Sequence, residues 1–149
     1  MSNTCLHSEE TDYLVLVGRQ LFAMIFMIAS AGHFTPAQIA LAAEHGVPMA
    51  TVLVPISGVI ALLGGLSVLF GYRARVGGCL LGVFLVPVTL FMHNFWAAPD
   101  AATFRLQLLL FIRNVALLGC ACQLVRVGAG SLSLDAMMDG TTIRADRLA

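Results

Sequence analysis

The chain has 149 residues, 59% hydrophobic and 11% charged, with a mean hydropathy of +0.92 and a formal net charge of zero. Soluble domains carry about 25% charged residues, so this composition excludes a soluble globular domain and points to a single integral-membrane domain. Every basic residue is arginine, which keeps its charge in apolar surroundings where lysine often loses it, and no basic surplus suggests a nucleic-acid partner.

Residues 1–13 form an acidic leader with Glu9, Glu10 and Asp12. A secretory signal would be basic at this point, and Arg19 interrupts the apolar run that follows. The leader is therefore expected to be retained, despite the cleavage-like Ala29-Ser30-Ala31. Four apolar runs, 14–34, 49–71, 76–95 and 103–127, are each long enough to span, since a crossing helix needs about 20 predominantly apolar residues. Residues 128–149 are polar enough to lie outside the membrane, with Leu132, Leu134, Met137 and Met138 resting on its surface. The expected fold is an all-α membrane protein, a four-helix transmembrane bundle with one short interfacial helix.

That extra helix falls in the loop after the first span. Thr35-Pro36-Ala37-Gln38 supplies an N-cap, a proline at the first helical position and a capping-box partner, and Gly46 and Pro48 stop the segment. It is too short to span and is expected to lie on the outer face, carrying Glu44 and His45. Arg73, Arg75, Arg126, Arg144 and Arg147 fall on the side of the termini, whereas residues 33–47 and 96–102 contain no arginine. The positive-inside rule then predicts cytoplasmic termini. Arg105, at the far end of the fourth span, is expected to reach outward to Asp100.

Small residues recur at four-residue spacing, Ser57, Ala61 and Gly65 in the second span and Gly78 and Gly82 in the third, a pattern for close helix approach. Pro55 and Pro87 lie within spans and are expected to kink them, freeing carbonyls. Cys79, Cys120 and Cys122 fall near the cytoplasmic ends of spans and Cys5 in the leader. A reducing compartment and a C-x-C spacing leave them as small apolar packing residues.

The spans contain cations but no Asp or Glu. Arg19 lies in the first span, and Arg113-Asn114 near the middle of the fourth. A mid-membrane cation costs about 2.5–3.5 kcal/mol on insertion scales, so it faces protein, water or a ligand. Arg19, Phe26 and His33 share one helix face, as do Gln107 and Asn114. His93 and Asn94 end the third span before Phe95 and Trp96. A bundle can bring Arg19, Arg113, Asn114 and Gln107 around an inner cavity, with His33 and His93 at its outer mouth and Phe26 as apolar wall or core. This arrangement suits an anionic or carbonyl-bearing small molecule, a quinone headgroup or a lipid phosphate. The same groups can instead bond kinked backbone and one another and simply hold the bundle together. Two histidines without further ligands at metal spacing do not make a metal or haem site, and no nucleophile–base pair or nucleotide loop is present, so no catalytic residue is assigned.

In order and spacing, Gly18-Arg19, His33-Phe34, Pro55-x-Ser57-Gly58, Gly64-Gly65, Gly71-Tyr72-Arg73-Ala74-Arg75, His93-x-Phe95-Trp96, Arg113-Asn114 and the tail from Gly130 to Asp135 resemble the DoxX family. That family often has Lys-Asn where this chain has Arg113-Asn114. The resemblance implies a bacterial or archaeal inner-membrane protein linked to redox complexes, with Arg19, His33, His93, Arg113 and Asn114 on the family's polar motif. Fold transfers by such a resemblance better than reaction does. The expected function is a small membrane subunit of a redox-linked assembly, binding a quinone or lipid headgroup and anchoring a partner subunit. A purely structural or assembly subunit is the alternative. A small-solute transporter is a third reading, against which no inverted repeat is visible.

Overall fold

The computed structural model describes the backbone of residues 2–146 and the side chains of residues 11–140. Cys5, Glu9, Glu10, Arg144 and Arg147, used above for the leader and for orientation, have side chains outside the described residues. The described chain is helical, with no strand: α1 (Ser2–Gly32), α2 (Pro36–Glu44), α3 (Ala50–Phe70), α4 (Ala74–Met92), α5 (Ala101–Val127) and α6 (Leu134–Asp146), with a 3-10 turn at Phe95–Ala97 between α4 and α5. Four stretches are long and apolar enough to cross a membrane: Thr11–Gly32, Ala50–Phe70, Ala74–Ala97 and Ala101–Val127. The outward faces of these helices carry Leu, Ile, Val, Phe and Met side chains, as a lipid-facing surface requires. The chain is a multi-pass membrane protein in contact with lipid.

Local chemistry sets the helix ends. Thr35 Oγ1 accepts from the Gln38 N–H at 3.3 Å and Pro36 takes the first turn of α2, so this short helix forms where its cap predicts. The return bond of a capping box is absent among the described residues, because the Gln38 side chain lines a cavity instead. Asp100 caps α5, its Oδ1 accepting from the Ala102 and Thr103 N–H groups and its Oδ2 from Thr103 Oγ1. This occupation corrects the expected Asp100–Arg105 pair: the carboxylate is used by the helix start, and no ion pair forms among the described residues. Both α3 and α4 run as unbroken helices through Pro55 and Pro87.

The helices pack in sequence, α1 on α3, α3 on α4 and α4 on α5, while α1 and α5 share no extensive contact. The result is an arc with an opening between its outer members. Glycines allow the crossings. A Cβ on Gly64 would lie 3.2 Å from the Gly77 carbonyl, and one on Gly77 would lie 3.0 Å from the Gly64 carbonyl, so α3 and α4 meet backbone to backbone. On Gly58 it would lie 2.6 Å from His33 Cβ, where α1 touches α3. The core, Ala23, Phe26, Ala61, Val68, Leu81, Phe84 and Leu85, joins α1, α3 and α4, and α5 leans on it through Leu117, Leu118 and Leu124. Cys79, Cys120 and Cys122 are free and exposed on the outer faces of α4 and α5, not packed inside as the sequence suggests, because the interior positions go to glycine and alanine.

Candidate functional site

The polar groups that the sequence places together are divided by the structure between the two ends of the arc. At the end where α3 turns into α4 and α5 finishes, Arg19 of α1 is only 6% exposed. Its Nη1 donates to the Ala129 carbonyl at 2.6 Å and its Nη2 to the Leu132 carbonyl at 2.9 Å, while Nε is buried without a partner. The tail after α5 turns back to supply those carbonyls, helped by positive φ at Gly128 and Gly130. Asp135 then accepts from the Arg73 and Ala74 N–H groups at 2.7 and 3.1 Å, capping α4, and its own N–H donates to the Gly71 carbonyl at 2.9 Å. Gly71 (φ +65°) has no room for a Cβ between Arg19 and Ser133. The tail segment is thus bonded to the bundle end, with Leu132, Leu134, Met137 and Met138 left exposed.

The other end holds a cavity of about 610 Å³, within the range of about 300–1,000 Å³ typical of ligand pockets. Its walls are mostly apolar and include Phe26, Ile60, Phe84, Val88 and Leu117, with α2 covering the end through Gln38, Leu41, Ala42 and His45. His33, His45, His93, Gln107, Arg113 and Asn114 supply its polar points. The structure therefore brings together His33, His93, Gln107, Arg113 and Asn114 but not Arg19. Arg19 lies near the middle of α1, level with the Gly71 turn, where tail carbonyls take both terminal nitrogens. Phe26 serves as wall and core at once, its ring set edge-on to Phe84 with centroids 6.2 Å apart.

Each cavity histidine has its Nδ1 engaged. His33 pairs with the Ala29 carbonyl at 2.9 Å, His45 with the Leu41 carbonyl at 2.9 Å, and His93 with Gln107 Oε1 at 3.1 Å, which leaves every Nε2 unbonded among the described residues. No group of three or more metal-ligating side chains comes together among the described residues. Asn114 is only 3% exposed and its Oδ1 accepts from Arg113 Nε and Nη2 at 3.3 and 3.2 Å. Asn114 Nδ2 and Arg113 Nη1 make no hydrogen bond among the described residues. At 1.5 Å per residue Arg113 sits about 18 Å along α5 from Ala101, close to the middle of the span. It has no carboxylate partner among the described residues.

A second cavity of about 420 Å³, more polar than the first, opens beside it, lined by Glu44, His45, Asn94, Ala98, Thr103 and Gln107 among others. His45 and Gln107 belong to the walls of both. The sequence marks His45 only as a residue of the outer helix. The signal that could have placed it is the Gly46-Val47-Pro48 break, which turns α2 back over the bundle.

The SURF4 family model matches residues 3–139, nearly the whole chain, and the chain belongs to that family. No curated protein and no solved structure matches. The family match corrects the DoxX assignment: the quoted motifs are short pieces, and the whole-length match goes to a different family. The redox complex and the bacterial inner membrane that the DoxX resemblance implied lose that support.

Proposed function

We propose that this SURF4-family membrane protein binds an amphipathic small molecule in the larger cavity, with the oxygen-bearing head on Arg113 and Asn114 and the apolar body against Phe26, Phe84, Val88 and Leu117. The observation that carries this reading is Arg113. It is a permanent mid-span cation, bonded among the described residues only to its neighbour Asn114 and set at the wall of an apolar cavity. Intramembrane cations are costly and usually mark function, and a head with negative or carbonyl oxygens would offset that cost. Gln107 and His93 offer a second hydrogen-bonding point nearer the loops. A lipid phosphate and a quinone carbonyl share this chemistry. The arginine distribution supports placing the cavity end away from the cytoplasm.

Native mass spectrometry on protein gently extracted from its own membrane tests the proposal. A retained adduct, lost in Arg113→Leu and kept in Arg113→Lys, is the expected result, and its mass separates a lipid from a quinone. A bare wild-type chain, or an adduct indifferent to Arg113→Leu, would overturn it. A purely structural or assembly subunit is the second reading. It is favoured by α5, the least buried of the spans, whose exposed Leu106, Leu109, Ile112 and Val115 suit a partner helix. A co-purifying protein without any small adduct would move the conclusion there.

A further inference from the structure

Arg113 raises a question that a ligand alone does not answer: how the cation is tolerated when the site is empty. In bare hydrocarbon it would carry the full insertion penalty. The two cavities of the loop end suggest the answer. The more polar one opens at the loops and reaches down α5 to Gln107, and the larger continues from Gln107 past Leu110 to Arg113 and Asn114. Thr103, Gln107 and Asn114 recur along one helical face, so a single stripe of α5 lines the whole route.

We infer that the loop-end vestibule and the α5 side of the larger cavity form one hydrated half-channel, reaching Arg113 past His45 and Gln107 and closed toward the opposite end, while the apolar wall of Phe26, Ile60, Phe84 and Val88 stays dry. Buried water needs polar partners, commonly two to four for each molecule. Groups without a hydrogen bond among the described residues are spaced along the route: Nε2 of His45 and His93, then Asn114 Nδ2 and Arg113 Nη1. Toward the other end the packed layer of Ala61, Val68, Leu81 and Phe84 offers none, and beyond it Arg19 is sealed by the tail carbonyls. The half-channel hydrates Arg113 and gives the oxygen-bearing head of the ligand an approach from solution, with the apolar body entering through the opening between α1 and α5. This last step rests on the ligand reading above; the water path itself does not.

Leu109 and Leu110 make the test, since they lie at nearly the same depth on different faces of α5. Leu109 is 66% exposed toward lipid, and Leu110 lines the cavity. In ligand-free protein held in nanodiscs, with the native cysteines changed to alanine, Leu109→Cys and Leu110→Cys are each treated with a charged methanethiosulfonate reagent. A cysteine thiolate, which forms in water and not in hydrocarbon, attacks the reagent's sulfenyl sulfur and displaces methanesulfinate, so Leu110→Cys is expected to react at least about tenfold faster. Adding Ala98→Trp, which narrows the vestibule, is expected to slow it. Equal rates at the two positions, or a Leu110→Cys rate indifferent to Ala98→Trp, would overturn the path. Where a cysteine variant does not fold, hydroxyl-radical footprinting of the unaltered chain decides. Cavity-lining Leu110 is expected to oxidise ahead of lipid-facing Leu109 at the same depth, and the reverse order would refute the channel. Water access without a ligand adduct would leave the half-channel standing and sink the ligand proposal; an adduct without water access would do the opposite.

Discussion

Arg19 and Arg113 are the same residue in the same kind of apolar helix, yet the protein treats them differently. Arg19 is buried and its terminal nitrogens are taken by two carbonyls of the returning tail. Arg113 keeps an unbonded nitrogen, leans on Asn114 and borders a cavity. The first arrangement is closed and ties remote parts of the chain together. The second is open, and its polar capacity is available to something else. An intramembrane charge is therefore informative only once its partners are known: answered by backbone it is a structural tie, and left without such an answer at a cavity it is where a binding site is proposed.

The largest expected effect breaks this contrast directly. Arg19→Leu removes two charge-assisted bonds to backbone, each worth about 1.5–3 kcal/mol before the relief of desolvation is counted, and is expected to destabilise the fold by about 3 kcal/mol. Thermal unfolding in detergent would read that loss, and limited proteolysis would show the segment around Gly130 becoming cleavable. Arg113→Leu, by contrast, breaks no bond to another element of the fold and should leave the unfolding temperature unchanged or higher. Equal losses in the two variants would mean that the two ends do not differ as described.

Gly58→Ala probes the open end through packing. Its new Cβ would lie 2.6 Å from His33 Cβ, so α1 and α3 must separate or His33 must move. Overpacking of this kind costs about 1–3 kcal/mol. Loss of the bound adduct is expected alongside the lowered unfolding temperature, and an unchanged adduct would remove His33 from the site. Asp135→Ala loosens the closed end at a single point. Losing the cap of α4 is expected to cost about 1 kcal/mol, measurable by denaturation, with no effect on the adduct.

The smallest effect is a pH dependence at the loops. Hydrogen bonds from the Thr103 backbone and hydroxyl, then from Ala102, hold the Asp100 carboxyl below its ordinary value of 3.8. A depressed folded-state value means that the stabilisation is present above that ordinary value and is lost as pH falls through the lower, folded one. Unfolding followed below pH 3.8 should therefore show a shallow loss that Asp100→Asn flattens. The same slope in both proteins would assign the loss to other carboxylates.

The membrane-spanning helices were legible from residue order alone, because hydropathy and length are properties of each segment by itself. So was the small helix after the first span, since Thr35 and Pro36 act on their immediate neighbours. Helical spacing also marked which side chains face inward: Gln107 and Asn114 do share the cavity wall, and Phe26 does lie between two polar regions. Short motifs were a poorer guide, since they suggested the DoxX family where the match over residues 3–139 is to SURF4.

What only tertiary structure decided is the fate of each polar group. Every residue but the capped or bonded ones offers a free carbonyl, so nothing in the order of residues says that Ala129 and Leu132, more than a hundred positions away, answer Arg19. The return of the tail depends on the turns at Gly128 and Gly130 and on the space that Gly71 leaves. Likewise, His45 reaches the cavity only because α2 folds over the end of the arc, and Arg113 keeps its unbonded nitrogen because no carboxylate among the described residues is brought to it. Spans follow from the free energy of single segments in lipid. Partners follow from distances between segments, and those exist only in the folded chain.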